Sequence, residues 1–588
     1  MTALLLTGNL GSVPTHEVVN VPTPWSGVNL FADDRSLTAA LSGAGADTGQ
    51  LARLSRLGQL AGSPEAQDWA RLANLYPPVL RSHDRYGNRV DEVEFHPSWH
   101  QLMDVAVSNG LHAAPWADPS PNAHLVRAAG FYVWGQVEQG HGCPISMTYA
   151  VLPALRHSPA LAAGYEPGLT SLSYDPGLRA PGAKSGLLAG MAMTEKQGGS
   201  DVRANTTRAV PNPDGSYSIT GHKWFCSAPM CDLFLVLAQA EAGLSCFVVP
   251  RVLPDGSRNT FALQRLKDKL GNRSNASSEV EFDSTTGWLV GAEGRGVRTI
   301  IEMVSMTRLD CVIGSAAVQR AALTQAMHHI DGRDAFGARL SGQPLMQEVV
   351  ADLAVEVQAA AALFLRLASA VDRAEAPLLR LAVAAAKFWV CKRTPAVVGE
   401  ALECLGGAGY VEESPLPRYF RESPLNSIWE GSGNVIALDV VRAVSREPES
   451  VQALQDELAL SAGADARLDA AVDELGKRLA GLGADPEADA RSARGVAGLL
   501  ARTLQAGLLV RAAGTAGEPG SSAVAEAFLA SRLGPSGSGG PGVFGAGDSG
   551  AGFGRSSVNA VLGYCDPTRT AAAAATPGSS RHVVGVAR

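Results

Sequence analysis

The spacing of apolar side chains changes twice along this chain, and each change marks a change of architecture. From about Leu37 to Ser158 apolar residues recur at helical spacing between Pro and Gly breaks, as in Ser98-Trp99-His100-Gln101-Leu102-Met103-Asp104-Val105-Ala106-Val107. From about Leu188 the period falls to two. Ser216-Tyr217-Ser218-Ile219-Thr220 follows the turn signal Asp214-Gly215, and Leu233 to Ala238 and Leu244 to Val249 are short β-type runs. Beyond Gly296 the helical period returns over 299–330, 346–373 and 377–405, the last stopped by Gly406-Gly407. The order predicts an α+β chain: an N-terminal α domain over 1–187, a middle β domain over 188–290 and a C-terminal α domain of four-helix-bundle type over 291–444. Residues 450–512 keep helical spacing through Leu468, Val472, Leu475, Leu479 and Leu482, which predicts an extra helical domain within 445–533. The tail 534–588 loses the pattern. Its Gly, Ser, Ala and Pro content cannot bury enough surface to offset ordering entropy, and disorder is expected there.

Composition narrows the picture. With 588 residues and 46% apolar content the chain can build several buried cores. Charged residues are 18% and the net charge is −8, so the chain as a whole has no attraction for nucleic acid or an acidic membrane. Any such contact must come from a local patch. Eight cysteines are dispersed through apolar sequence without a Cys-x-x-Cys pair, which reads as reduced thiols in a cytoplasm and offers no metal site. The N-terminus has no basic region followed by an apolar run, and the apolar stretch Leu381 to Ala386 is bounded by Arg380 and Lys387. Neither export nor a membrane span is expected.

Five segments carry candidate chemistry. In Asn426-Ser427-Ile428-Trp429-Glu430-Gly431-Ser432-Gly433-Asn434 a carboxylate stands between an aromatic and a Gly-Ser-Gly turn, so it is partly desolvated while small residues admit a ligand closely. That setting suits a general base at Glu430. The segment Met193-Thr194-Glu195-Lys196-Gln197-Gly198-Gly199-Ser200-Asp201 offers backbone N–H groups and hydroxyls to a phosphate or a planar ring. Taken alone it is more often a plain turn. Gly221-His222-Lys223-Trp224-Phe225-Cys226-Ser227 ends a strand in two aromatics and a hydroxyl that can flank a ring, although such aromatics are more often core. Arg333, in Gly332-Arg333-Asp334-Ala335-Phe336-Gly337 and ten residues before Gln343, has the fork of donors that matches pyrophosphate oxygens. Gly406, Gly407 and Gly409 just past a helix permit close approach of a dinucleotide, or form a plain C-cap.

In this order and spacing the segments resemble the acyl-CoA dehydrogenase superfamily. More narrowly, Met-Thr-Glu-Lys-Gln-Gly-Gly-Ser-Asp-Val, the run Lys267-Asp268-Lys269-Leu270-Gly271-Asn272-Arg273-Ser274-Asn275-Ala276-Ser277, and Asn-Ser-Ile-Trp-Glu-Gly-Ser-Gly-Asn resemble the AidB-type adaptive-response proteins. The resemblance covers about 15–445, and Gln197 and Trp429 stand where ordinary family members have Pro and Tyr. It implies FAD held between the β domain and the C-terminal helices. It implies Glu430 as the base that takes the α-proton of an acyl thioester while a hydride passes to the flavin, the carbonyl being polarised by the base's own backbone N–H. Some members carry the base instead on the helix Met306-Thr307-Arg308-Leu309-Asp310; position 307 here is Thr, so that rival is absent.

The resemblance also assigns Met193, Thr194, Gln197, Gly198, Gly199 and Ser200 to one wall of the cofactor and Trp224, Phe225 and Ser227 to the other. Gly406, Gly407, Trp429, Gly431, Ser432, Gly433 and Asn434 complete the cofactor set, and Arg308 lies on the substrate side. Arg333 and Gln343 reach FAD from a neighbouring subunit, which implies a homotetramer. The partners implied are an acyl-CoA, an electron-transfer flavoprotein and double-stranded DNA, the last in a response to alkylating agents. DNA contact is ascribed to the extra helical domain, with Arg442 a candidate. Yet residues 441–512 hold nine Arg and Lys against eleven Asp and Glu, a difference of −2, so only a folded basic face can supply it.

Overall fold

The computed structural model describes residues 15–516, 519–533 and 555–566. Helices Arg35–Gly43, Thr48–Ala61, Pro64–Leu75, Pro97–Ser108, Ala123–Gly135, Gly142–Leu155 and Pro159–Leu169 form the N-terminal domain. One departure from the helical expectation is the hairpin Val79–His83 with Arg89–Glu94. Its turn is made by Asp84, whose carboxylate accepts from the N–H groups of Tyr86 and Asn88.

The middle domain is one sheet that returns on itself. Strand Leu233–Ala240 pairs with Ala189–Ala192, Arg208–Pro211 and Gly243–Pro250, while Tyr217–Ser227 and Phe261–Leu266 both pair antiparallel with Ser277–Val290, which in turn meets Gly243–Pro250. Buried Phe234, Leu235, Val236, Phe247 and Val248 fill its interior.

Helices Gly296–Gly332, Pro344–Asp372 and Ala376–Cys404 are apolar on nearly every side, the pattern of helices surrounded by protein, and with Gly433–Arg446 they make the C-terminal bundle. The fourth unit consists of Pro448–Ala459, Ala466–Ala480, Pro486–Ala516 and Pro519–Phe528. Pro486–Gly514 is, among the described residues, the helix long and apolar enough to cross a membrane, but 72% of its apolar window is buried inside the protein.

Within the span expected to be disordered, helix Arg555–Cys565 forms and buries Val558, Val561 and Cys565 against the bundle. That reading is corrected for this stretch: compositional bias around it concealed one short amphipathic segment. The Gly-rich run 534–554 and the poly-Ala run 570–576 lie outside the described residues. All eight cysteines are buried and unbridged.

Candidate active site

A cavity of about 650 Å³ opens where the β domain, the long bundle helix Gly296–Gly332 and the loop 425–432 meet the N-terminal helices. It falls in the size range of ligand pockets. Glu430 stands in its wall with a backbone φ of +58°, a left-handed conformation that a non-glycine residue adopts only at a cost of order 1–3 kcal/mol. The loop is held against that strain. Lys387, fully buried, donates to the carbonyls of Asn426 at 3.0 Å and Gly431 at 2.8 Å, gripping the loop on both sides of the base. Trp429 Nε1 donates to Asn426 Oδ1 at 2.8 Å, and Asn426 Nδ2 to Ser315 Oγ at 3.1 Å, so the indole is fixed as a cavity wall. Gly431 has φ +103°, and a Cβ there would meet Ile436 Cδ1 at 2.9 Å.

The carboxylate itself makes few contacts. Thr307 Oγ1 donates to Glu430 Oε2 at 2.7 Å. Thus position 307, where the resemblance allows for a rival base, here anchors Glu430. Burial raises the Glu430 pKa above the ordinary carboxylate range, opposed by the Thr307 hydrogen bond and the charges of Lys387 and Arg308. Its backbone N–H meets no protein acceptor among the described residues. Arg308 borders the cavity, and two of its five N–H donors are engaged: Nε binds the Glu430 carbonyl at 3.0 Å and Nη1 binds Asp439 at 2.9 Å. It therefore steadies the base.

Two neighbouring walls of the β domain meet at the cavity, joined by the Trp224 N–H donating to the Thr194 carbonyl at 2.8 Å. Met193, Thr194, Gly199 and Ser200 line one, and a Cβ on Gly199 would collide with Thr194 Oγ1 at 2.6 Å. Behind this loop Glu195 accepts from Lys223 Nζ at 2.8 Å, from the N–H of Thr206 at 2.7 Å and from that of Thr207 at 3.1 Å, bonds that hold it ionised and fix the loop on the sheet. Phe225, 48% exposed, and Ser227 line the other wall. A planar ring can stack against such walls, and the hydroxyls and open backbone suit its phosphates.

Several expected residues stand elsewhere. Trp224 falls at a bulge in the pairing with Ser277–Val290 and turns its ring to Lys267, whose Nζ lies 3.2 Å from the ring centroid. Gln197 donates to Glu195 Oε2 at 2.7 Å and, with Gly198, shapes the loop without lining the cavity. Gly433 opens a helix against Lys392 of the bundle helix Ala376–Cys404, and Asn434 accepts from Arg494 Nη1 at 2.8 Å and so faces the fourth unit. Gly406 and Gly407 end the helix Ala376–Cys404 outside the cavity, Gly406 with φ +60° as a helix stop. Arg333 donates to Asn20 O and Gln343 to Ala335 O, at the far end of the bundle helix. Of the cofactor set, Trp429, Gly431 and Ser432 do line the cavity, and Arg442 borders it while paired to Asp439 at 3.3 Å.

Sequence reasoning missed a polar group in the same cavity: Glu138, His141, Lys269, Asn272 and Glu422. Glu422 accepts from the Asn272 N–H at 2.6 Å and Nδ2 at 2.8 Å, and burial pushes its pKa up to about 7. Glu138 accepts from Ser274 Oγ at 2.6 Å and Asn74 Nδ2 at 3.0 Å and is held ionised beside His141. The run Lys267–Ser277 had served only as a signature; no periodicity signals that its loop reaches the cavity.

Residues 20–176 match the family described as adaptive response protein AidB N-terminal domain, 190–285 the acyl-CoA dehydrogenase middle domain and 294–445 the acyl-CoA dehydrogenase C-terminal domain. The chain is similar to the putative acyl-CoA dehydrogenase AidB of Escherichia coli (strain K12), 48% identical over 473 residues, which are 79% of this chain and 87% of that one. Among solved structures, Caenorhabditis elegans ACDH-11 in complex with C11-CoA matches with a TM-score of 0.79 over 95% of each chain at 24% identity, a likeness of fold. An acyl-CoA dehydrogenase complexed with FAD from Bacillus anthracis matches with a TM-score of 0.59 over 80% of this chain and 82% of that one at 17% identity.

Proposed function

We propose that this chain, which belongs to the acyl-CoA dehydrogenase superfamily and within it to the AidB-type adaptive-response proteins, is an FAD protein of the alkylation response that contacts duplex DNA through its fourth helical unit. One observation carries the DNA reading. Although residues 441–512 are acidic in sum, folding gathers Lys392, Arg478, Arg494 and Arg502 around the half-buried Trp389, with the Arg502 guanidinium 5.3 Å from its ring and that of Arg494 5.5 Å from Phe388. The cations are close enough to depress one another: Arg494 lowers the pKa of Lys392, and Arg478 and Arg393 lower that of Arg502, each after burial. Among the four, Arg478 has a carboxylate partner, Glu474 at 2.8 Å. A cluster of this kind attracts phosphates in a chain whose net charge does not.

The test is duplex binding as a function of salt. Log K is expected to fall linearly with log salt, and Lys392→Ala/Arg478→Ala/Arg494→Ala to flatten the slope by about 3, near 0.9 per lost phosphate contact. Absence of binding by the full chain at low salt sinks the reading.

The geometry at Glu430 favours a second activity, oxidation of an acyl thioester. Bound FAD supplies a two-electron acceptor. Glu430, desolvated and steadied by Thr307, takes a proton from the carbon next to the thioester carbonyl; its free backbone N–H donates to that carbonyl oxygen as charge develops there. Arg308 and Lys387 hold the loop so that both groups stay in reach. Flavin bleaching by a short branched acyl-CoA is expected to slow by about 10²–10⁴ in Glu430→Gln. If DNA protection persists unchanged in the same variant, protection is independent of this chemistry. Arg333 and Gln343, outside their own chain's cavity, suit a role on a neighbouring subunit's cofactor in a homotetramer, which light scattering checks.

A further inference from the structure

A lysine that loses water in the interior normally faces a carboxylate, because an unpaired buried ammonium is costly. Lys184, Lys223 and Lys267 follow the rule, with Asp232 at 2.6 Å, Glu195 at 2.8 Å and Glu279 at 2.7 Å. Lys269, two residues beyond Lys267, does not. It borders the cavity, and among the described residues no carboxylate oxygen lies within 4.0 Å of its Nζ. Instead it donates to Asn275 O at 2.7 Å and to Ser277 Oγ at 2.9 Å, leaving one donor over. Ser277 Oγ lies 3.3 Å from Ser227 Oγ, the hydroxyl of the cavity wall. A run of cation, hydroxyl and hydroxyl thus leads from the lysine into that wall.

The charges nearby do not cancel it. Glu138 is committed to His141, Ser274 and Asn74. Glu422, bonded to Asn272, is pushed up to about 7 and carries only part of its charge at neutral pH. Burial pushes the Cys143 thiol up to about 12, so it is neutral. Burial draws Lys269 itself down to about 8, which leaves it mostly protonated at neutral pH.

We propose that Lys269 is a positioning residue for the cofactor: it orients the Ser277–Ser227 hydroxyl pair and sets a fixed positive charge behind the wall, favouring the ring once reduction has left it negative. Two electrons and one proton give the ring that single negative charge; in the test both electrons come from dithionite. The inference rests on the reading of Phe225 and Ser227 as the ring's wall.

The experiment is the two-electron midpoint potential of the FAD holoprotein, measured against a reference dye for the native chain, Lys269→Gln, Lys269→Arg, Ser277→Ala and Ser227→Ala. Lys269→Gln is expected to shift the potential downward, Lys269→Arg to restore most of it and Ser277→Ala to give a smaller downward shift. A native potential in Lys269→Gln overturns the proposal. If that variant does not retain FAD, a native potential in Ser277→Ala overturns it instead. An unchanged flavin spectrum and potential in Ser227→Ala shows that the wall reading is at fault. A shift in Ser227→Ala beside an unmoved Lys269→Gln removes only the lysine.

Discussion

The joint between the bundle and the fourth unit, and the wall of the cavity, treat buried charge in opposite ways. At the joint Arg532, on the turn Leu529–Leu533, meets Asp352 at 2.8 Å and Glu356 at 3.2 Å, and Glu356 also takes Arg393 at 3.0 Å. Arg393, Glu356 and Arg532 are joined by hydrogen bonds there, and Asp352 adds a close ion pair to Arg532 in which its oxygens make no hydrogen bond among the described residues. Arg127 and Asp310 are likewise joined between the N-terminal domain and the long bundle helix, with Nη2 to Oδ2 at 2.8 Å. Around the cavity Lys387 rests on two carbonyls, Lys269 on a carbonyl and a hydroxyl, and the Glu430 carboxylate on one hydroxyl. Closed networks fix geometry because losing one member strands another in a medium of low dielectric. Incompletely paired groups keep a change of protonation or a new partner within reach.

The largest effect that separates the two regions is on stability. Glu356→Gln leaves Arg393 and Arg532 short of their shared carboxylate, and a loss of about 3–5 kcal/mol is expected from denaturant unfolding. Glu430→Gln removes a desolvated carboxylate with a single side-chain hydrogen bond, so stability is expected to stay level or rise. Equal losses in the two variants would erase the distinction.

Sequence reading recovered the elements better than the contacts between them. The long helices were legible to within about three residues because Pro344, Pro377 and the Gly406-Gly407 stop punctuate a strong 3.6 period. Glu430 was legible because its neighbours are unusual in kind. Lys269 and Glu422 were not, since 153 positions separate them and the loop that joins them to one cavity is set by the bond between Asn272 and Glu422. Trp224 was misplaced because the resemblance set it on one wall with Phe225, whereas consecutive residues of a strand point to opposite faces and a bulge between Lys223 and Cys226 falls at this point. The basic cluster around Trp389 likewise draws on three helices, Ala376–Cys404, Ala466–Ala480 and Pro486–Ala516, where a running charge count averages it away.

A second difference is in the sign of the pH dependence. Glu422 has a folded-state pKa of about 7 against about 4.3 unfolded, so its neutral form is favoured by folding. The associated stability is fully present below about pH 4 and is lost as pH rises through 7, a change of about 4 kcal/mol. Glu356 runs the other way. Held at about 2 by Arg393 and Arg532 against the cost of burial, it contributes stability present above about pH 4 that is lost as pH falls through 2. Unfolding free energies from pH 5 to 8 are expected to fall less steeply in Glu422→Gln than in the native chain. The same slope in both would place Glu422 outside this balance.

The smallest effect concerns the base itself. Thr307→Val keeps the shape of the side chain and removes the hydroxyl that donates to Glu430 Oε2. The anion then loses one hydrogen bond of about 1–1.5 kcal/mol, which raises its pKa by about one unit further. In a pH profile of flavin bleaching by an acyl-CoA, the limb governed by the base is expected to move up by about one unit, with a rate at neutral pH lower by up to about tenfold. Because Thr307 belongs to no closed network, unfolding stability should change by under about 1 kcal/mol, far less than in Glu356→Gln. An unmoved limb would mean that the hydroxyl fixes the rotamer of Glu430 without setting its proton affinity, and the carboxylate's protonation would then be governed by burial and by the charges of Lys387 and Arg308.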